Sequence, residues 1–365
     1  MRKYLPKDTE ELIRWYERYI SPLSLIAGFL ADNLILLRRV DLWTSNLLLF
    51  SYLAVAAIGI VLINLIGTGR LQKPIFVKIA PFLPVVAQFA FGGLFSAYVS
   101  LYSRSAAFAA SWVFVVLLAA LLLGNERFTR AYARLPFQTG VFFTVLFSFL
   151  IFYVPVVLGR IGSPIFLLSG AIALVVMAIF MRTLALLMPE HVRAHRPAII
   201  RNIAATFIVF NLLYFSGAIP PLPLALKEAG VYHSVDKAGD TYLLKAEPRS
   251  WYAAYLRYNT VFHRAPGESV FVYSAVFAPT KLSTTILHEW ERYDDTTKTW
   301  VRTATFGFPI TGGRDGGYRG YTLRENMPAG EWRVNVKTGD GLIIGRVSFT
   351  VVDVPAPVAT VEEQH

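Results

Sequence analysis

The chain contains no cysteine. That absence excludes disulfides, thiolate nucleophiles and cysteine-ligated metals together, so any folded domain must rest on a packed core. Catalytic signatures are missing as well. No Gly-x-Ser-x-Gly elbow accompanies the serines. The block Gly312–Gly320 is followed by neither Gly-Lys-Ser/Thr nor an opening helix, which argues against a phosphate loop. His233, His263 and His288 match no metal-ligand spacing, and scattered histidines are usually surface or core singles. The expectation is therefore a protein that is not an enzyme, with no catalytic residue, no metal and no cofactor. Charged residues are scarce at 16% against 55% hydrophobic.

What the chain has instead is long apolar runs. Roughly 20 helical residues, at about 1.5 Å each, cross a hydrocarbon core of about 30 Å. Seven candidate spans qualify: Pro22–Leu37, Ser45–Ile66, Ile75–Ser100, Ala106–Leu123, Phe137–Leu158, Pro164–Leu187 and Ile199–Phe215. Residues Val113–Leu123 are apolar around the whole helix, as lipid-facing segments are and soluble amphipathic helices are not. The first apolar run begins only after twenty mostly polar residues, so no cleavable leader is expected.

Charge sets the expected orientation. With seven spans, fifteen basic residues, among them Arg70, Lys73, Arg182, Arg193 and Arg196, fall on the side of the N-terminus. The opposite loops between spans hold only Arg38, Arg39, Arg104 and Arg160. Basic residues near span ends favour the cytoplasm, which puts the N-terminus inside and the C-terminal region outside. The net charge of +11 first suggests nucleic acid, but up to Gly217 there are 19 basic and 8 acidic residues, and from Ala218 there are 16 of each. The excess is topological and faces the anionic inner leaflet, so nucleic acid is set aside as a partner and the lipid bilayer taken as one.

The N-terminal segment 1–20 pairs Asp8 with Glu11 as a capping box, and Leu12, Trp15, Tyr16 and Tyr19 recur at helical spacing. It reads as an interfacial helix on the inner surface, or as a cytoplasmic helix packed on the bundle. Within the spans, Asp32 is the one deeply placed carboxylate, either a functional group or a partner for a neighbouring helix. Asn33, Asn64, Gln88, Asn202 and Asn211 are expected to make interhelical hydrogen bonds. Pro81, Pro84 and Gly92-Gly93 predict a kink and close packing, and Arg104 either packs, binds a lipid phosphate or meets the outer domain.

After Phe215, Gly217 with Pro220, Pro221 and Pro223 forbids further helix. Short runs rich in Val, Ile, Thr and aromatics follow: Tyr242–Lys245, Val270–Phe277, Ser283–Arg292, Trp300–Phe306, Gly320–Arg324, Glu331–Lys337 and Leu342–Val352. Asp294-Asp295 and Thr338–Gly341 sit where hairpin loops belong. About seven short strands at this spacing predict an all-β, antiparallel, Ig-like sandwich. The expected organisation is a segment 1–20, a seven-helix membrane bundle over 21–217, a Pro-rich linker over 218–250, a sandwich over 251–354 and a flexible tail over 355–365.

The stretch from His288 to Val352 carries Trp290, Trp300, the block Pro309–Tyr321 and Gly330-Glu331-Trp332-Arg333-Val334. It resembles the bacterial domain-of-unknown-function family 2914. Gln88-Phe89-Ala90-Phe91-Gly92, Gly124-Asn125-Glu126 and Ile219-Pro220-Pro221-Leu222-Pro223 are similar to strings in its multi-span members. The resemblance implies a membrane protein, in a bacterial inner membrane, with a β-rich C-terminal module and no established activity; the charge distribution puts that module in the periplasm. In the glycine-rich block, Arg314, Asp315 and Arg319 pair internally, or the arginines with Tyr318 and Tyr321 hold an anionic or sugar ligand. The function expected is recognition or scaffolding by the outer module, its ligand a glycan, peptide or partner protein of the envelope. The alternative is a small-solute or lipid transporter working around Asp32.

Overall fold

The computed structural model describes residues 43–103, 108–125, 131, 134–219, 223–239, 241–248, 259–279, 282–313 and 316–365. The predicted helix over 1–20 and the span Pro22–Leu37, with Asp32 and Asn33, lie outside them. The chain divides into two compact units, a helical one that holds most of the residues up to Ile219 and a β one that holds those from Pro220, together with the short stretches 104–112 and 156–162.

The helical unit contains α1 (Trp43–Gly67), α2 (Pro74–Ile79), α3 (Leu83–Ser103), α4 (Phe108–Asn125), α5 (Leu135–Leu158), α6 (Ser163–Leu187) and α7 (Pro189–Phe215). A 3-10 turn, Ala80–Phe82, joins α2 to α3 where Pro81 and Pro84 remove backbone donors, the irregularity expected there. Among the described residues, five stretches are long and apolar enough to cross a membrane: α1, Pro74–Leu101, α5, α6 and α7. In α4 the apolar stretch Phe114–Gly124 is shorter. Six of the seven predicted spans thus fall on observed helices. Helix α7 starts ten residues before the predicted Ile199, because Pro189 opens it and Glu190 suits the positive end of its dipole.

Helix α5 is the centre of this unit. Its apolar window is 67% buried, against 33% or less for the other four. Phe147 packs on Phe207 and Phe210, and Phe166 stacks on Tyr214 at 3.8 Å between centroids. The outward sides of α6 and α7 are apolar too, with Ile179, Leu186, Leu212 and Phe215 each at least 61% exposed. Water penalises such a surface; hydrocarbon does not.

The β unit has eleven strands among the described residues: β1 (Ala225–Tyr232), β2 (Ser234–Ala238), β3 (Thr241–Ala246), β4 (Val261–Arg264), β5 (Val270–Phe277), β6 (Ser283–Asp294), β7 (Thr299–Thr311), β8 (Tyr318–Arg324), β9 (Gly330–Thr338), β10 (Ile343–Asp353) and β11 (Val361–Gln364). They form three sheets, β1-β5-β8, β4-β10-β9-β6-β7 and β11-β3-β2. The first two share one apolar core, to which β1 and β5 bring Leu226, Val272 and Val276, and the larger sheet brings Ile286, Trp290, Val334 and Phe349.

Three expectations are corrected here. The segment 218–250 is not a linker, since it carries β1, β2 and β3, and the tail 355–365 carries β11. The sheets are not all antiparallel, because β4 runs parallel to β10. The cause is the same throughout. Strand β1, with Lys227, Glu228 and Gly230, lacks alternation, and β11 reads Val-Glu-Glu-Gln, so both are held by backbone pairing to β5 and β3 rather than by a pattern of their own.

Candidate functional site

Strand alternation decides where the predicted loop residues go. In β8, Tyr318 packs on the core shared by the two larger sheets, and Thr322, next but one after Gly320, points the same way. Arg319 and Tyr321 lie on the opposite face, paired in register with Ala275 and Tyr273 of β5. The predicted set is therefore split across one sheet. Arg314 and Asp315 lie outside the described residues. The glycines of the block serve close packing: a Cβ on Gly312 would run into the Pro279 carbonyl, and one on Gly320 into the Phe308 ring. The block is a packed connection between β7 and β8.

On the face that carries Arg319 and Tyr321, rings gather around Tyr273. Tyr232 and Tyr242 lie 6.2 and 5.7 Å from it, and Tyr321 lies 6.3 Å from Tyr242 and 6.1 Å from Phe271. The chain end closes one side, with His365 and Tyr242 exchanging backbone hydrogen bonds of 2.9 and 2.8 Å. His365 Nδ1 sits 2.8 Å from Glu228 Oε1. Tyr273 is fully buried, yet its hydroxyl has no hydrogen-bond partner among the described residues. Burial pushes that hydroxyl well above the usual phenol range; the Glu228 carboxylate adds to this and Arg319 opposes it. An orphaned buried hydroxyl costs about 1–3 kcal/mol, which marks the centre of the ring cluster as a strained point of the fold. Tyr321 remains 39% exposed, which leaves a ring face open for stacking. The sequence reading missed Glu228, Tyr242 and His365 because they lie in segments taken for linker and tail.

Two other polar groups are structural. His288 is fully buried, with Nε2 2.8 Å from the Ser274 hydroxyl and Nδ1 3.0 Å from that of Thr322. Trp290 Nε1 donates to the same Thr322 oxygen at 3.1 Å. Burial drives the imidazole down to about 3, so it is neutral and joins β5 and β8 to β6 across the core. This serine–histidine pair has no carboxylate at Nδ1 and no access. The second group gathers where the three sheets meet. His233 lies 2.6 Å from Glu268 and 3.3 Å from Glu247, and Glu247 also takes His263 Nδ1 at 2.8 Å and the His263 backbone N–H at 2.7 Å. The three histidines do not converge, and among the described residues no His/Asp/Glu group is placed to hold a metal.

The face of the larger sheet turned away from its core carries a largely buried ion-pair ladder. Glu289 meets Lys337, and Glu291 meets Arg333 at 2.5 Å, whose guanidinium covers Trp300 at 4.2 Å. Asn335 donates to Glu291 at 2.7 Å and accepts from Arg346 at 2.6 Å. Burial would raise the Glu289 carboxyl, but the hydrogen-bonded Lys337 ammonium, with Asn335 and Arg302, holds it below the usual carboxylate range.

In the helical unit Gln88 is buried in α3, and Arg104 lies outside the described residues. Asn64 and Asn202 bond across helices as expected: Asn64 Nδ2 donates to Gln138 at 2.6 Å, and Asn202 Nδ2 to the Pro136 carbonyl at 2.9 Å. His191 Nε2 adds a third helix, 3.1 Å from Asn64 Oδ1. Asn211 is a correction, since it bonds the Phe207 carbonyl of its own helix at 2.8 Å. A carbonyl one turn back is always within reach of an asparagine within a helix.

Comparison with known proteins places these findings. A domain described as "Protein of unknown function (DUF2914)" is found at residues 283–351, which run from the start of β6 almost to the end of β10 and hold the ladder and Trp290. The match leaves the apolar helices outside it. No curated protein matches the chain. Among solved structures, the Pseudomonas fluorescens alkylpurine DNA glycosylase AlkC bound to DNA containing an abasic site analog is similar at 13% identity over 77% of this chain and 83% of that one. Its TM-score is 0.20, from which no shared fold or activity follows. The chain thus contains a DUF2914 domain at its C-terminal end.

Proposed function

We propose that the protein is a seven-span bacterial inner-membrane protein that presents its β unit to the periplasm as a recognition module. The N-terminus is cytoplasmic in this reading, and the two larger sheets are the layers of a sandwich of Ig-like kind. The module binds an envelope ligand, a glycan in first place, by the patch around Tyr273, and catalyses no reaction. The observation that carries this is the cluster of rings around Tyr273, of which Tyr321 stays 39% exposed, with Glu228 and Arg319 near enough for their charges to act at its centre. Rings that stack and charged groups beside them are what sugars with acidic substituents need. The transporter reading around Asp32 has no described observation in its favour.

Two experiments test this. Alkaline phosphatase fused after His365 should be active in cells; an inactive fusion with a bright cytoplasmic reporter at the same point would overturn the topology. Full-length protein in nanodiscs should show a thermal shift with soluble cell-wall glycan fragments that Tyr321→Ala abolishes without lowering its own melting temperature. A panel without any hit, or a hit that survives Tyr321→Ala, removes the patch as the binding site.

A further inference from the structure

Helices α6 and α7 form a hairpin, with a cleft of about 410 Å³ near its turn. That volume lies within the roughly 300–1,000 Å³ of small-ligand clefts. Its walls are mostly apolar, from residues such as Met181, Ile200 and Ile203, while Arg182, Arg193 and Arg196 line it with cations. Arg193 and Arg196 are three residues apart and so share a face of α7; Arg182 comes from α6. All three are exposed, and none makes an ion pair or hydrogen bond among the described residues. Glu190, in the first turn of α7, pairs with none of them.

The length of α7 places the cleft. Its 27 residues span about 40 Å at about 1.5 Å each, more than a hydrocarbon core of about 30 Å. The apolar half, Ile203–Phe215, belongs in the core, so the first turns with His191, Arg193, His195 and Arg196 stand at the interface. Apolar walls that run into the bilayer below three unpaired guanidiniums match one molecule, a lipid with a phosphate above an acyl chain. Guanidinium forks bind phosphate oxygens in pairs, which zwitterionic headgroups neutralise with their own cation and anionic headgroups do not.

We infer that the α6–α7 cleft is a binding site for an anionic phospholipid, with Arg182, Arg193 and Arg196 on its phosphate and the apolar walls along the start of an acyl chain. The site rests on the membrane reading above and adds a ligand to it. In the proposed topology it opens to the inner leaflet, where anionic lipid is held.

The test uses the full chain in nanodiscs of phosphatidylcholine with a minor fraction of phosphatidylglycerol or cardiolipin, with retained lipid measured by native mass spectrometry. The expected result is retention of anionic lipid by the wild type and its loss in R182Q/R193Q/R196Q, with about a fivefold weakening for each arginine removed. The single variant R196Q gives the same reading in smaller measure if the triple variant does not fold. R70Q/K73Q/K78Q, which removes basic residues outside the cleft, should retain lipid as the wild type does. Equal loss in both triple variants would assign retention to general surface charge and overturn the site. Stabilisation by inorganic phosphate in pure phosphatidylcholine discs, without lipid retention, would overturn it in favour of a free anion. Release of the protein from native membranes by alkaline carbonate would instead overturn the membrane reading itself.

Discussion

The two units solve the same problem with opposite surfaces. The β unit hides Trp290 and Trp332, both at most 2% exposed, and carries a largely buried ion-pair ladder on the other face of the larger sheet. The helical unit hides Phe147 and Tyr98 but also turns Leu186 and Phe215 outward. In the first, burial from water drives packing; in the second, under the proposed membrane placement, shape, ring contacts and a few hydrogen bonds must suffice, because hydrocarbon outside would be as apolar as the core. A substitution should therefore cost most where water is the alternative.

The largest effect is expected at Trp290. Replacing it by alanine empties the common core of two sheets and takes one hydrogen-bond partner from Thr322, at about 3–5 kcal/mol. Pulse proteolysis of the full chain should show the β unit cut at far lower denaturant while the helices persist. Loss of both units together would mean that they do not unfold separately.

The second effect is pH-dependent and confined to the β unit. His288 is held down to about 3 from 6.5, so between those values the unfolded chain binds a proton that the folded one refuses. Stability then falls as pH drops below about 6.5, by about 1.4 kcal/mol per unit at most, and levels off near the folded value. Glu289, held low, adds a loss in the same direction but only in the carboxylate range. Comparing the slopes of wild type and His288→Gln between pH 6.5 and 5 isolates the histidine. An unchanged slope would show that His288 is not buried neutral.

Which parts were legible in the sequence follows the same division. Six spans were readable because each is apolar along its whole length, β5 because it is an almost unbroken apolar run, and β9 because its residues alternate. Strands β1, β4 and β11 were not, because their neighbours impose them. The site suffered accordingly. Arg319 and Tyr321 were found from the glycine block, but Glu228, Tyr242 and His365 reach them only through pairing between distant segments. The direction of Tyr318 needed the register of β8.

In the helical unit, Gly93 offers a packing test. A Cβ there would stand 2.8 Å from the Tyr52 ring, so α1 and α3 approach closely at this point. Gly93→Leu should cost about 1–3 kcal/mol by overpacking, read by titrating folded protein with a denaturing detergent. A neutral result would mean that the ring moves aside freely, and that shape is a weaker constraint here than in the β unit.

The smallest effect sharpens the comparison most. Asn64 joins α1 to α5 through Gln138 and to α7 through His191, three polar groups that meet near one end of an otherwise apolar bundle. In water-soluble cores, removing one member of such a chain strands the rest at about 1–3 kcal/mol per group. In a bilayer the separated helices also find partners for their polar groups, and measured interhelical bonds average only about 0.6 kcal/mol. Asn64→Leu should therefore cost about 1 kcal/mol or less in the same detergent titration, despite a bond of 2.6 Å. A loss as large as that expected for Trp290→Ala would show that this end of the bundle behaves as a water-excluded core with no hydrocarbon alternative, and would count against the membrane placement of α1, α5 and α7.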